Sequence, residues 1–242
     1  MVNLVIANDK LTIIKKLLNT IIEINKNAKV IGISSNGKEV LETMKKSIPD
    51  ILLLDLNLPK MNGFEILDKL IKDECLNKTK IIITSEHVEE IYIKEKYKKY
   101  IYAILPNPYN MDILSNLINE VNEDVETCNI REFINKEMDK FNFNRNTNSY
   151  KYLQDAIFQV ISNMDWNFEL EKDIYKKVAK TNNRKNEFVI KWNIEKLMES
   201  MYINTKCTII QHYFNFTEDI KPTTKLFIRT IAIKYYELKN NN

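Results

Sequence analysis

The residues of this 242-residue chain best suited to chemistry are a few acids, amides and hydroxyls that stand directly after short apolar runs. Asp55 follows the run 51–54, while Asn8-Asp9 and Thr84 follow two others. An unbroken apolar run of this length is typical of a strand buried on both faces of a parallel sheet. Two carboxylates at adjoining strand ends would form a hard-oxygen site suited to Mg²⁺, and a carboxylate can also accept a phosphoryl group.

Five apolar runs in the first half alternate with segments of helical period, which must position these side chains. The predicted strands are 2–7, 30–33, 51–54, 81–83 and 101–105, and a helix follows each strand, the fourth over 88–99. This alternation predicts an α/β domain, a (βα)5 doubly wound parallel sheet with right-handed crossovers. With the strand order 2-1-3-4-5, the ends of strands 1, 3 and 4 converge at the switch point. Asp9, Asp55 and Thr84 should therefore lie together.

Residues 1–123 resemble the receiver domain of two-component response regulators. The resemblance rests on the acidic position after strand 1, the acceptor in DLNLPKMNG (55–63), the Thr-Ser pair after strand 4 and the proline after strand 5. It implies that Asp55 is the phospho-acceptor, that Thr84 moves in the switch, and that receivers pair as homodimers. It also implies a histidine kinase or phosphotransferase as partner. The magnesium ligands implied by the resemblance are Asp9, Asp55, the carbonyl of Asn57 and the side-chain carbonyl of Asn8.

Two departures from the family pattern change the charges of this pocket. Asn8 stands where the family has the first of two acids, and Asn107 stands where it has a lysine before Pro108. The two changes cancel in net charge, so we expect the pocket to fold normally. They do not cancel in chemistry, because Asn107 cannot supply the cation that would neutralise arriving phosphoryl oxygens. They favour an inert or differently controlled receiver and leave phosphorylation of Asp55 open.

Bulk composition argues against several other classes of protein. The chain is 44% hydrophobic and 29% charged with only 3 Gly, which suits a globular, helix-favouring protein. It shows neither a membrane-length apolar run nor a signal-peptide pattern, which predicts a cytoplasmic location. Three isolated cysteines and two histidines argue against disulfides and against a zinc site. Residues 1–125 carry 17 basic and 18 acidic side chains, whereas 126–242 carry 19 and 15, so the second half is the more basic.

The second half shows helical periodicity throughout and predicts an all-α domain. The polar and acidic segment 124–129 predicts a short linker before a helical effector domain over 130–242. Within that domain a helix, the polar turn 181–186 and the long helix 188–202 permit a helix-turn-helix. By itself this pattern is weak, because most helical hairpins bind no DNA.

A resemblance strengthens the helix-turn-helix interpretation. Residues 130–242 resemble the DNA-binding effector domain of the regulators of sporulation initiation, the stage 0 sporulation protein A family. The matching segments are SYKYLQDAI (149–157), IYKKVAK (174–180) and KPTTKLFI (221–228). The resemblance implies a non-enzymatic regulator that controls transcription, in sporulation, by sequence-specific binding to duplex DNA.

The predicted recognition helix differs most from that family. One face, predicted to be core, carries Ile190, Ile194, Leu197, Met198 and Met201. The opposite face carries Phe188, Glu195 and Glu199 together with the predicted DNA contacts Lys191, Trp192 and Lys196. Further predicted contacts surround the turn, and we call them the basic turn cluster: Lys176, Lys177, Lys180, Arg184 and Lys185. Such a cluster could hold a DNA backbone or simply be a solvated face.

Alternative functions remain open at this point. The leading hypothesis is an atypical response regulator that controls transcription by binding DNA. The second is a protein-interaction regulator that has lost DNA binding and acts through Phe188 and Trp192, unless Phe188 packs under a neighbouring helix. A third, a Mg²⁺-dependent phosphohydrolase with Asp55 as nucleophile, lacks a second acid at position 57 and a cap domain.

Overall fold

Five parallel strands run through the first half of the chain in the order β2-β1-β3-β4-β5. They are β1 (Val2–Ala7), β2 (Ala28–Ser34), β3 (Ile51–Asp55), β4 (Lys80–Ser85) and β5 (Ile101–Pro106). This order is the predicted one, and β1 and β4 both pair with the central β3. Asp55 aligns with Thr84 in the sheet register, so the acid and the hydroxyl end neighbouring strands at the same edge.

The structure is a computed structural model, and it describes residues 1–24, 28–76, 78–85, 94–106, 108–164 and 166–241. The chain divides into two compact units, Met1–Glu126 and Thr127–Asn242. Each unit has its own apolar core, and in the first unit a core lies on each face of the sheet. The predicted boundaries of the receiver (1–123) and the effector domain (130–242) stay predictions.

Helices cover both faces of the sheet in the first unit. They are α1 (Leu11–Ile24), α2 (Gly37–Lys46), α3 (Gly63–Lys72), α4 (Glu95–Lys98) and α5 (Met111–Met138). Asn62 caps α3 by accepting a hydrogen bond from the backbone of Glu65, whose side chain accepts one in return from the backbone of Asn62. Half of the predicted fourth helix, 88–99, lies outside the described residues, and α4 lies in its described half.

Helix α5 contradicts the predicted interruption of the helix at 124–129, whereas the linker as a domain boundary stays a prediction. The helix runs without interruption through that segment and ends in a 3₁₀ turn, Asp139–Phe141. The separate helix expected from residue 130 is thus the last part of α5. Polarity misled the prediction, because a polar segment without glycine or proline keeps its helical propensity. Its apolar residues continue at helical spacing, with Val121 in the core of the first unit and Ile130, Ile134 and Met138 in that of the second.

The second unit is helical, as predicted. Its further helices are α6 (Asn148–Asn163), α7 (Lys176–Thr181), α8 (Glu187–Asn204), α9 (Cys207–Phe214) and α10 (Thr224–Asn240), and a π-helical segment, Leu170–Tyr175, leads into α7. Its core includes edge-on contacts of the buried Phe141 ring with Tyr213 and Phe227. Helix α7, the polar turn and α8 occupy the predicted helix-turn-helix positions. Among helices in the described ranges, none is long and apolar enough to cross a bilayer.

Candidate functional site

Asp55 and Asn8 form a hydrogen-bonded pair at the edge of the sheet. Both are buried, with 8% of Asp55 and 1% of Asn8 exposed. The Asn8 side-chain Nδ2 donates to Asp55 Oδ2 at 2.8 Å, and the backbone N–H of Asn57 donates to Asp55 Oδ1 at 2.9 Å. Each carboxylate oxygen therefore accepts a hydrogen bond from the protein itself.

The backbone sets the orientation of the Asn8 amide. Its Oδ1 accepts from the backbone N–H of Lys10 at 2.9 Å, and only an oxygen can accept there. The amide nitrogen must therefore face Asp55. An acid at position 8 would repel Asp55, whereas the amide donates a charge-assisted hydrogen bond to it. Asparagine at position 8, where the family has an acid, thus replaces a like-charge contact with an attractive one.

One of the predicted magnesium ligands, Asn8, does not turn an oxygen toward Asp55 in this arrangement. Mg²⁺ takes oxygen ligands in near-octahedral geometry, but Asn8 turns its amide nitrogen, which has no lone pair to give, toward Asp55. Asp9 and Asn57 are exposed. In the part of the chain that the structure describes, three or more histidine, cysteine or carboxylate side chains nowhere gather closely enough to hold a metal ion.

The predicted switch residue lies beside Asp55. Thr84 is buried at the end of β4, where it aligns with Asp55 on one side and with Leu105 of β5 on the other. The position of the missing lysine, Asn107, lies outside the described residues. The structure therefore brings together Asn8, Asp55, Thr84 and the backbone of Asn57.

The loop after Asp55 is held tightly enough to keep the Asn57 N–H in place. The N–H of Gly63 donates to the carbonyl of Leu56 at 2.9 Å. A Cβ on Gly63 would come within 2.6 Å of the Leu56 side chain and 2.9 Å of its Cα, so only glycine fits there without a shift. Lys60, between them, has a left-handed backbone with φ of 67°.

A second candidate site is the outward face of α8. Ile190, Ile194, Met198 and Met201 are buried, in agreement with the predicted core face. On the outward face Phe188 is 66% exposed and Trp192 is 56% exposed. Phe188 does not pack under a neighbouring helix, so the two aromatic rings are available together.

The two lysines of α8 already have partners. Lys191 Nζ lies 2.5 Å from Glu171 Oε1, and this hydrogen bond raises the pKa of the lysine. Lys196 Nζ lies 4.1 Å from the centre of the Trp192 ring, within the range of a cation–π contact. Trp192 therefore presents an exposed ring with a cation on it.

The basic turn cluster lies on the surface before α8. Its members are exposed, namely Lys176, Lys177, Lys180, Arg184 and Lys185. Arg184 is anchored, because its Nε donates to the hydroxyl of Tyr152 and its backbone N–H donates to the carbonyl of Ala179, both at 2.8 Å.

A buried carboxylate under the turn was not predicted from the sequence. Asp155 of α6 is 3% exposed. Its Oδ1 accepts from Arg131 Nη1 of α5 at 2.9 Å, and its Oδ2 accepts from Asn182 Nδ2, in the turn after α7, at 2.8 Å. One acid thus ties α5 to the turn that precedes α8. In the sequence, this buried site could have been recognised from an acid at position 155, on the same helical face as the core residues of α6.

Comparisons with known proteins agree with this division into two units. Residues 4–119 match the family model of the response regulator receiver domain, and residues 134–235 match that of the sporulation initiation factor Spo0A C terminal. The nitrate/nitrite response regulator protein NarL of Escherichia coli strain K12 is 40% identical over 62 residues, which are 26% of this chain and 29% of that protein. The match thus spans less than a third of that relative's length.

Solved structures resemble the first half of the chain. The receiver domain of the Francisella response regulator 1452 is 21% identical with a TM-score of 0.44, covering 52% of this chain and 99% of that one. The receiver domain of the putative NarL of Mycobacterium tuberculosis is 19% identical with a TM-score of 0.45, covering 50% of this chain and 96% of that one.

The two family matches together account for most of the sequence, and the chain is a Spo0A-like response regulator, with a receiver domain followed by a Spo0A C-terminal domain.

Proposed function

We propose that this protein controls transcription in the initiation of sporulation by binding duplex DNA through α7, the turn and α8. The observation that carries the proposal is the exposed basic turn cluster at the start of α8, within a domain that matches the Spo0A C terminal family. In helix-turn-helix proteins the N-terminal part of the second helix contacts base edges, while lysines and arginines around it contact phosphates.

The receiver domain would control this DNA binding. We propose that Asn8 holds Asp55 in one arrangement that needs no Mg²⁺, because the amide supplies the hydrogen bond that the carboxylate requires. The receiver then serves as a pairing module, and two copies would place two α8 helices on two half-sites. A histidine kinase or phosphotransferase enters this scheme only if Asp55 accepts a phosphoryl group. The proposal assigns no enzymatic reaction to the chain and places its work in the cytoplasm.

Duplex binding by the full chain is expected to weaken steeply as salt rises. The logarithm of the binding constant should fall with the logarithm of salt concentration by about 0.9 for each phosphate neutralised. Changing Lys177→Gln should weaken binding to all duplexes alike and reduce that slope by about one unit. Fluorescence anisotropy with a labelled duplex at several salt concentrations measures both effects.

A matched lysine provides the control. Lys136 is exposed on α5 and pairs with Glu132, so Lys136→Gln should leave the slope unchanged. Absence of binding to any duplex at low salt would overturn the proposal. That outcome would favour a regulator that acts on another protein through Phe188 and Trp192.

A further inference from the structure

We propose that α8 recognises A·T base pairs through the C5 methyl group of thymine, with Phe188 and Trp192 as the contacting side chains. This inference rests on the proposed DNA binding and names the bases that α8 selects. It starts from the hydrogen-bond donors of the helix. Helix α8 contains no arginine, and its two lysines are Lys191 and Lys196.

Neither lysine is placed to recognise guanine. The common contact to guanine is a bidentate hydrogen bond from arginine or lysine to O6 and N7. The ammonium group of Lys191 forms an ion pair with Glu171, and that of Lys196 lies over the ring of Trp192. To contact guanine, each would first have to leave the partner it has. In the first two turns the outward face therefore offers the two aromatic rings, and the apolar group in the major groove is the thymine methyl.

The aromatic rings occupy the part of α8 that enters a groove. Asn186 caps the helix by accepting from the backbone N–H of Phe188 at 2.8 Å, which places Phe188 in the first turn. Trp192 follows four residues later on the same face, about 6 Å along the axis. Base pairs are about 3.4 Å apart. The two rings can therefore contact pairs about two steps apart.

Charge identifies the occupant of this face as nucleic acid. Arg184 and Lys185 of the basic turn cluster are exposed and directly precede Asn186, the N-cap of α8, so cations that attract phosphates lie at the end of the helix that carries the two rings. Glu195 and Glu199 are exposed further along the helix, where they repel phosphates. Glu187 lies in the first turn of α8, so the attraction for phosphates at that end comes from the basic turn cluster, while the later turns carry the two further acids.

Uracil in place of thymine tests the inference, because uracil lacks only the methyl group. Selection from a random duplex pool by the full chain would first yield a preferred duplex, which we expect to be rich in A·T pairs. That duplex is then made with thymine or with uracil. Wild-type protein should bind the uracil form about fourfold more weakly for each methyl group that it buries. Phe188→Ala and Trp192→Ala should weaken binding to the thymine form and reduce the difference between the two forms.

The controls separate this inference from the DNA binding on which it rests. Ile203 is an exposed apolar residue near the other end of α8, so Ile203→Ala should preserve the thymine preference. Equal wild-type binding of the two forms would overturn the inference and leave DNA binding intact. A thymine preference that survives in both aromatic variants would also overturn it. Failure to bind any duplex at low salt would overturn DNA binding itself.

Discussion

Replacing Arg131 with methionine is expected to lower the free energy of unfolding of the second unit by about 3 kcal/mol. The change removes the hydrogen bond from Arg131 to the buried carboxylate of Asp155 and leaves the one from the amide of Asn182. The Arg131 side chain is 35% exposed, but Asp155 is buried, so removing the arginine is costly because the carboxylate charge stays in the interior without its cation. Methionine keeps an unbranched apolar side chain but also loses the cation–π contact of the guanidinium with the ring of Phe158, so the loss reports the charge of Arg131 in both contacts.

Tryptophan fluorescence during urea unfolding measures this effect in the full chain. The only two tryptophans of the sequence, Trp166 and Trp192, both belong to the second unit, so the signal follows that unit. Lys136→Met provides the control, because Lys136 lies on the same helix but forms an exposed pair with Glu132. Such surface pairs contribute less than about 1 kcal/mol. If the two variants unfold at the same urea concentration, the buried pair does not stabilise the unit as we infer.

The fold was largely predictable because its signals are local. Short apolar runs separated by helical periods predicted the strands, and the spacing from Ile190 to Met201 predicted which face of α8 is buried. The strand order came from the rule for five-stranded doubly wound sheets. An interruption of the helix at 124–129 was predicted, wrongly, because low hydrophobicity by itself does not end a helix. Whether the segment 124–129 stays helical depends on the apolar residues on either side of it, which pack into two separate cores.

The candidate sites were predictable in their members but not in their contacts. The residues around Asp55 followed from the ends of the strands. The direction of the Asn8 amide did not, since it depends on the backbone N–H of Lys10, whose position only the folded turn defines. Counting charges gave a pocket with two acids and missed the hydrogen bond between Asn8 and Asp55. The ion pair of Arg131 and Asp155 was missed because its partners are 24 residues apart on different helices.

The double change Asn8→Asp/Asn107→Lys is expected to make Asp55 accept a phosphoryl group about 100-fold faster than in the natural chain. In phosphoryl transfer a carboxylate oxygen bonds to phosphorus, the bond from phosphorus to the phosphodonor breaks, and the rest of the donor leaves with the electron pair while charge is spread over the phosphoryl oxygens. In the natural chain the Asn8 amide donates a hydrogen bond to one of the two carboxylate oxygens of Asp55, and position 107 carries no cation. The aspartate removes the amide donor and adds an oxygen ligand for Mg²⁺, and the lysine supplies the missing charge. Loss of one such electrostatic group typically costs about 10²–10³ in rate.

Intact-mass measurement after incubation with a small phosphodonor and Mg²⁺ tests this expectation. The double variant should gain one phosphoryl group, and adding Asp55→Asn should abolish the gain because the attacking oxygen is lost. The single change Asn107→Lys should give a smaller effect, because the Asn8 amide still donates to Asp55. Labelling of the natural chain as fast as the double variant would show that Asp55 reacts despite its hydrogen bond from Asn8. The hydrogen bond from Asn8 would then be one that the phosphodonor readily displaces, and control by phosphorylation would replace the Mg²⁺-independent arrangement that we propose.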